Sequence, residues 1–421
     1  MFLNDSTGSY SSFTVYPIPN GSRPSTNESA DFNRDGNIDI AVGNSTGDSV
    51  TVFLGNGNGG FLSIRNFRAS GGIRGLTVAD VDGDGDADII TANRSGNNIA
   101  VLLNNGDGTF AQRALLEANG NGETACAAAD ANGDGILDLF VGAYASSEII
   151  LMLGNGTGSF TYATKVPAGG NGPWMIAVGD MNGDGNVDVV SANSASNNCS
   201  VILGDGPGGL LGAVTYPTGA FPIAIDVGDI DGDGDLDLVT SNYSGRNWSV
   251  YENIGSGVLG NRRTLPSSRA GSCATLHDRD NDGDLDMTGI DEEDDLILLF
   301  ENRLPSAVQD TSTRPRDVVL YPNVPNPFSI RDGAVLGSSR TVIRYDLPNA
   351  SDVQLTIFDL AGRRVRTLVS AAQPAGSYNA EWNGTDEHGR AMASGIYLFK
   401  LLARSDAGLV YSTARKMILL R

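Results

Sequence analysis

Short runs of aliphatic and β-branched residues, fenced by glycine, asparagine and aspartate, recur along positions 1–303 of the chain. Between positions 76 and 118 they read LTVAD (76–80), DIITAN (88–93), IAVLLNN (99–105) and TFAQRALLEA (109–118). Runs of this length and composition, separated by turn residues, predict the four strands of a meander. The pattern surrounds six acidic segments whose first aspartates stand 49, 50, 50, 49 and 49 residues apart, and such a fixed period points to a repeat architecture.

Radial repetition of four-stranded sheets packs each sheet on its neighbours and leaves only short edges, so the pattern predicts a β-propeller. A solenoid would demand capping repeats, which neither end of the array offers. The ends instead interlock. After the sixth acidic segment come MTGIDE (287–292) and LILLFEN (296–302) without a fourth strand, whereas SSFTVYPI (11–18) precedes the first segment and matches the fourth strand of the other units. The expectation is an all-β chain with a six-bladed propeller over residues 1–303, completed by that N-terminal strand. RLPSAVQDTSTRP, over 304–316, reads as a linker. Beyond it DVVLYPN (317–323), TVIRYDLP (341–348), VQLTIFD (353–359), RRVRTLV (363–369), SYNAEW (377–382), GIYLFKLLA (395–403) and VYSTARKMILL (410–420) predict an antiparallel β-sandwich over 317–421.

The acidic segments follow D-x-[DN]-x-D-G-x-x-D, as in DVDGDGDAD (80–88). Carboxylates this close repel unless a cation sits among them. Oxygen side chains at positions 1, 3 and 5, glycine at 6 for a sharp turn, a main-chain carbonyl at 7 and a closing acid resemble the EF-hand ligand order, shortened. Hard oxygen donors on a flexible loop favour calcium, up to six ions. The candidate ligands are Asp31, Asn33, Asp35, Asn37 and Asp39; Asp80, Asp82, Asp84, Asp86 and Asp88; Asp130, Asn132, Asp134, Ile136 and Asp138. The remaining loops offer Asp180, Asn182, Asp184, Asn186 and Asp188; Asp229, Asp231, Asp233, Asp235 and Asp237; Asp278, Asp280, Asp282, Asp284 and Asp286. Asparagine at the third position keeps an oxygen but removes charge, so the loops at 31, 130 and 180 are expected to bind more weakly than those at 80, 229 and 278.

Charge then takes its place. The net charge of −22 is concentrated in these loops, which hold 24 of the 50 acids. No basic stripe is available for phosphate, which excludes nucleic acid as a partner. Cys126, Cys199 and Cys273 form no CxxC pair, and they read as buried hydrophobes with no structural disulfide. No apolar run is long enough for a transmembrane helix. MFLNDSTGSY lacks the basic and apolar regions of a signal peptide, and MFLND matches the tail of a third strand, so a missing N-terminal segment is expected.

ADANGDGILDLFVGA, GDMNGDGNVDVVSAN and the trailing LLNNGDGTF and MLGNGTGSF resemble the FG-GAP and VCBS repeats of integrin-alpha-like propellers. The resemblance implies calcium on one face, from loops joining strands 1 and 2 of each blade, and leaves open seven or more blades with the N-terminal part missing. YPNVPNPFS, IRYDLP, IFDLAGRRVRTL, AEWNGTDEHGRAMASGIYLFKL and the terminal KMILLR resemble the C-terminal sorting domain of type IX secretion cargo, related to the immunoglobulin-like domain of flagellar hook-capping proteins. That resemblance implies an address read by an outer-membrane translocon, a secreted or outer-surface location, and roles for Asn326, Pro327, Phe328, Gly389, Gly395, Tyr397 and the strand Lys416 to Arg421.

The two histidines, His277 and His388, belong to no catalytic motif, and no nucleophile or zinc signature stands out. A module that binds a glycan or a surface protein is therefore the preferred reading. A lyase-like polysaccharide enzyme and a purely structural surface-layer protein are the alternatives. Strand alternation sends the 2–3 and 4–1 connections to the face opposite the acidic loops. There Arg74, Arg94, Tyr144, Trp174, Tyr243 and Arg246 vary between repeats whose metal positions hardly change, a mixture suited to sugar rings or a protein anchor.

Overall fold

A computed structural model describes residues 14–19, 23–280, 283–302, 318–324, 328–329, 340–359, 363–405 and 410–420. The chain divides into two compact units, Met1–Leu304 and Pro305–Arg421.

In the first unit, β1 (Pro24–Ala30), β2 (Asp39–Asn44), β3 (Ser49–Gly55) and β4 (Phe61–Arg68) form an antiparallel sheet in chain order. So do β5 (Ile73–Ala79), β6 (Asp88–Asn93), β7 (Asn98–Asn104) and β8 (Phe110–Leu116), followed by β9 (Glu123–Ala129), β10 (Asp138–Ala143), β11 (Glu148–Gly154) and β12 (Phe160–Pro167). The fourth sheet is β13 (Pro173–Gly179), β14 (Asp188–Asn193), β15 (Asn198–Ile202) and β16 (Val214–Pro217); the fifth is β17 (Pro222–Gly228), β18 (Asp237–Asn242), β19 (Asn247–Asn253) and β20 (Leu259–Pro266). The sixth has three strands, β21 (Cys273–His277), β22 (Asp286–Asp291) and β23 (Leu296–Phe300).

The second strands of the four inner sheets, β6, β10, β14 and β18, are buried on both sides because a neighbouring sheet covers each side. In β6, Ile89 packs with Val50, Val52 and Leu76 toward the first sheet, while its neighbour Ile90 packs with Leu139, Val141 and Ile150 of the third. Similar clusters join the third sheet to the fourth, the fourth to the fifth and the fifth to the sixth, where Trp248 is fully buried. A two-sided burial replaces strict alternation with continuous aliphatic runs. Cys126 and Cys199 belong to these cores and Cys273 is half-buried; burial pushes the thiols of Cys126 and Cys199 up to about 12.

The N-terminal strand expected over 11–18 is a correction. Residues 11–13 lie outside the described residues, and 14–18 form no strand. Tyr16 instead meets the Phe61 ring edge-on at 4.7 Å and, with Ile18, lines a pocket beside Phe53 of the first sheet. Pro17 and Pro19 explain the departure, since proline donates no ladder hydrogen bond. Among the described residues the last sheet thus ends at β23, where Leu296, Ile297 and Leu299 are exposed.

In the second unit, β24 (Val319–Val324), β26 (Thr341–Leu347) and β29 (Gly376–Trp382) form one sheet. The other, in the order β25-β31-β30-β27-β28, contains β25 (Phe328–Ser329), β27 (Ser351–Asp359), β28 (Arg364–Gln373), β30 (Gly395–Ser405) and β31 (Val410–Leu420). Tyr345, Trp382, Phe399, Leu401, Met417 and Leu419 share its core. All seven expected segments are strands; the added two-residue β25 runs parallel to β31, so the unit is not wholly antiparallel. The linker expected over 304–316, and Asn326, Pro327 and Arg421, fall outside the described residues. Tyr397 is a core residue whose hydroxyl donates to the Ala393 carbonyl at 2.8 Å, and Gly389 holds a left-handed turn at φ 75°.

Candidate functional site

Each acidic segment leaves the first strand of a sheet and enters the second, so its ninth residue opens that strand. Glycine at position six is left-handed in all six loops, with φ from 83° at Gly36 to 98° at Gly234, a conformation that costs a side chain roughly 1–2 kcal/mol. Its N–H donates back to the first aspartate, at 2.9 Å from Gly85 to Asp80 and 3.0 Å from Gly234 to Asp229. The loop therefore wraps its first carboxylate before any ion is considered.

The ninth aspartate is buried and tied on both oxygens. Asp88 accepts from the N–H of Val81 at 3.0 Å and of Asn104 at 2.8 Å, and Asp237 accepts from Ile230 and Asn253 in the same way. Burial outweighs these bonds and pushes both carboxyls up to about 6, while Asp39, Asp138 and Asp188 are raised for the same reason. Burial and the neighbouring Asp84 raise Asp82, and burial and Asp233 raise Asp231. Such groups lack countercharge, which a divalent cation would supply.

Ligand-capable oxygens of Asp80, Asp82 and Asp88 lie within 4.8 Å of one another, as do those of Asp229, Asp231 and Asp237. These are two of the three acid-rich loops. Where asparagine holds the third position, its amide donates to the fifth aspartate, at 3.0 Å in Asn33–Asp35 and Asn132–Asp134 and 3.1 Å in Asn182–Asp184. At position seven the Asn37, Ile136 and Asn186 side chains lie under the glycines of the 3–4 turn, which leaves the main-chain carbonyl as the donor there.

Two arginines depart from the repeat pattern of the loops. Arg34, left-handed at φ 58° where the next four loops have glycine, reaches the second loop, pairs with Asp86 and donates to the Asp84 carbonyl at 3.1 Å. In the sixth loop Arg279 lies 3.6 Å from Asp286 and 3.8 Å from Asp280, at a position that is Phe32, Val81, Ala131, Met181 or Ile230 elsewhere. A built-in cation there runs against the expectation that the loop at 278 ranks with the strongest. Asp282 lies outside the described residues.

Asparagines join neighbouring loops. Asn104 donates to the Phe32 carbonyl at 2.9 Å, Asn253 to Met181 at 2.7 Å and Asn302 to Ile230 at 2.6 Å, each reaching the preceding repeat.

The opposite ends of the sheets carry the other candidates, and the structure brings most of them together. Tyr144 and Trp174 meet edge-on at 5.5 Å, Trp174 lies 5.9 Å from Phe221, and Phe221 lies 6.4 Å from Tyr243. Arg94 sits 4.2 Å over the Tyr144 ring and 5.4 Å from the centre of Trp174, with Arg74 5.6 Å from the same centre. Arg246 is exposed, left-handed at φ 56°, and makes no ring contact among the described residues. Burial and Arg94 lower the Arg74 guanidinium; at the other end, burial, Glu292 and Glu293 raise the Tyr243 hydroxyl. Phe221 was missed. Its signal was present: Gly72, Gly122 and Gly172 hold the matching left-handed position, and Phe221 adopts φ 56° there.

Residues 31–91, 80–141, 130–191 and 180–240 match the FG-GAP-like repeat, and residues 331–407 match the FlgD Ig-like domain. The chain carries N-terminal FG-GAP-type repeats and a C-terminal Ig-like domain. No curated protein matches it. Among solved structures, an Agrocybe aegerita lectin described as recognising non-reducing terminal N-acetylglucosamine aligns at 21% identity and a TM-score of 0.47, covering 68% of this chain and 79% of its own. A functionally unknown Desulfotomaculum acetoxidans protein aligns at 13% and 0.43, covering 81% and 85%, and a Lactobacillus plantarum protein at 14% and 0.42, covering 85% and 98%. The FG-GAP-type repeats and the clustered carboxylates together are consistent with metal coordination, and no helix of the described residues is long and apolar enough to cross a membrane.

Proposed function

We propose that the first unit is a calcium-binding propeller that displays an adhesive face for a glycan or surface protein, and that the second unit addresses the chain to a type IX translocon. The observation that carries the binding reading is the continuous belt from Arg74 and Arg94 through Tyr144, Trp174 and Phe221 to Tyr243, at the sheet ends opposite the acidic loops. Aromatic and arginine side chains grouped in this way provide large contact area with few flexible torsions. Closure into a ring is supported by Glu28 of the first sheet, whose carboxyl is exposed to solvent yet raised by the protein crowded around it and then by Asp226 of the fifth. Calcium is the ion favoured by an all-oxygen donor set on a flexible loop.

The belt is tested by binding of the calcium-loaded chain to a panel of glycans and surface proteins. Trp174→Ala with Tyr243→Ala should weaken the bound partner roughly thirtyfold or more, the loss typical of an anchor worth about 2 kcal/mol. A partner indifferent to both changes but lost on Asp84→Ala would place recognition on the acidic side. For the address, a signal peptide and passenger fused to residues 318–421 should be exported in a type IX host. Because Met417 and Leu419 are core residues, deletion of the last strand would also disturb folding; Lys416→Glu, at an exposed position, is the cleaner variant. Undiminished export of both variants would contradict the sorting reading.

A further inference from the structure

Arg74 and Arg94 are two half-buried cations placed over one tryptophan. Arg74 lies on β5 and Arg94 in the turn after β6 of the same sheet, yet both reach the Trp174 ring, which belongs to β13 two sheets away. Among the described residues no carboxylate comes within 4 Å of either guanidinium, and the Arg74 side chain donates one hydrogen bond, to the Ser25 hydroxyl at 3.4 Å. Two guanidiniums gathered at one ring repel each other, and an anion bound between them removes that cost.

The rings account for how the pair is held. A guanidinium over an aromatic face gains cation–π attraction while its in-plane N–H donors point sideways and remain available. Arg94 over Tyr144 at 4.2 Å is such a seat. Trp174 and Tyr144 therefore act as supports for the arginines, and the outward donors suit a planar or tetrahedral oxyanion, which arginine binds through paired hydrogen bonds. Next along the belt come Phe221 and Tyr243, which offer apolar area, and then Glu292 and Glu293, the second of them 3.8 Å from Arg269.

We infer that Arg74 and Arg94, seated on Trp174 and Tyr144, bind the carboxylate or sulfate group of an acidic polysaccharide, whose next sugar rings lie toward Phe221 and Tyr243. This deepens the adhesive reading and rests on it. A sugar polymer fits the order of features because it joins charged groups to apolar ring faces; an acidic peptide supplies the charge alone.

The test titrates the full, calcium-loaded chain with four probes: an oligogalacturonate, the same oligomer with its carboxyls reduced to alcohols, a sulfated galactan oligomer, and hexaglutamate. At least one acidic sugar should bind, with the reduced oligomer at least about tenfold weaker, the size expected from losing a charge-assisted hydrogen bond. Preference between uronate and sulfate identifies the group. Arg74→Ala and Arg94→Ala should each weaken the acidic sugar by about tenfold, and Arg94→Lys, which keeps charge but loses the fork, should fall between, all without moving the calcium-dependent melt. Equal binding of the reduced oligomer, or arginine variants that bind like the parent, would overturn the oxyanion assignment. It would leave the adhesive reading intact if Trp174→Ala still weakened the sugar. Hexaglutamate binding as tightly as the oligomers would overturn the saccharide. If none of the probes bound, the acidic-sugar inference would fall, while a protein or neutral-glycan partner lost on the Trp174 and Tyr243 double change would still uphold the adhesive face.

Discussion

Phe221 holds a backbone conformation that glycine holds at the matching places in three other repeats, with φ 56° against 68° to 72°. A Cβ in that region costs roughly 1–2 kcal/mol, so the ring contacts with Trp174 and Tyr243 must offset the strain. Phe221→Gly should accordingly be more stable than Phe221→Ala by about 1 kcal/mol in denaturant unfolding, and the reverse order would show that the backbone is not strained. Glu28 allows a pH test outside the metal loops. Its side chain is exposed, yet the protein crowded around it and then Asp226 raise its folded pKa, an effect that solvent screening keeps small. A raised carboxyl contributes stability that is fully present below its unfolded pKa and is lost as pH rises through the folded one. Glu28→Gln should therefore melt slightly higher than the parent at neutral pH, with the gap closing at about pH 4. A gap that persists at low pH would point to a cause other than ionisation.

At the level of strands and loops, much of the molecule was legible because the signals are local. The aliphatic runs of β5 to β7 and the glycine at position six each follow from a backbone or burial requirement that recurs in every repeat. What was not legible depends on neighbours far away in sequence. Arg34 meets Asp86 and Asp84 in the next repeat, and Tyr16 covers Phe61 in place of joining the last sheet. Arg279 was a local departure, visible as one charge at a position otherwise apolar. It leads to a prediction for its loop: Arg279→Ile, which copies Ile230, should add or tighten a calcium site in titration calorimetry. An unchanged isotherm would mean that the arginine does not compete with the ion. The core strand β31 should behave differently: Leu419→Ala, at a fully buried position, should cost about 2–5 kcal/mol in unfolding of the Ig-like domain.

Across the whole molecule, the repeat unit is a succession of sheets in which hydrophobic clusters hold the middles together and hydrogen-bonded acidic loops hold one set of ends. Without cations those ends concentrate buried and mutually repelling carboxylates, Asp88 and Asp237 among them. With cations the same loops become cross-linked positions whose binding energy adds to folding. The most direct measurement is the thermal unfolding of the full chain at neutral pH, in millimolar calcium and in an excess of chelator. The account predicts a distinctly higher melting temperature with calcium, reduced in part by Asp84→Ala, which removes one central ligand; superimposable curves in calcium and chelator would contradict it.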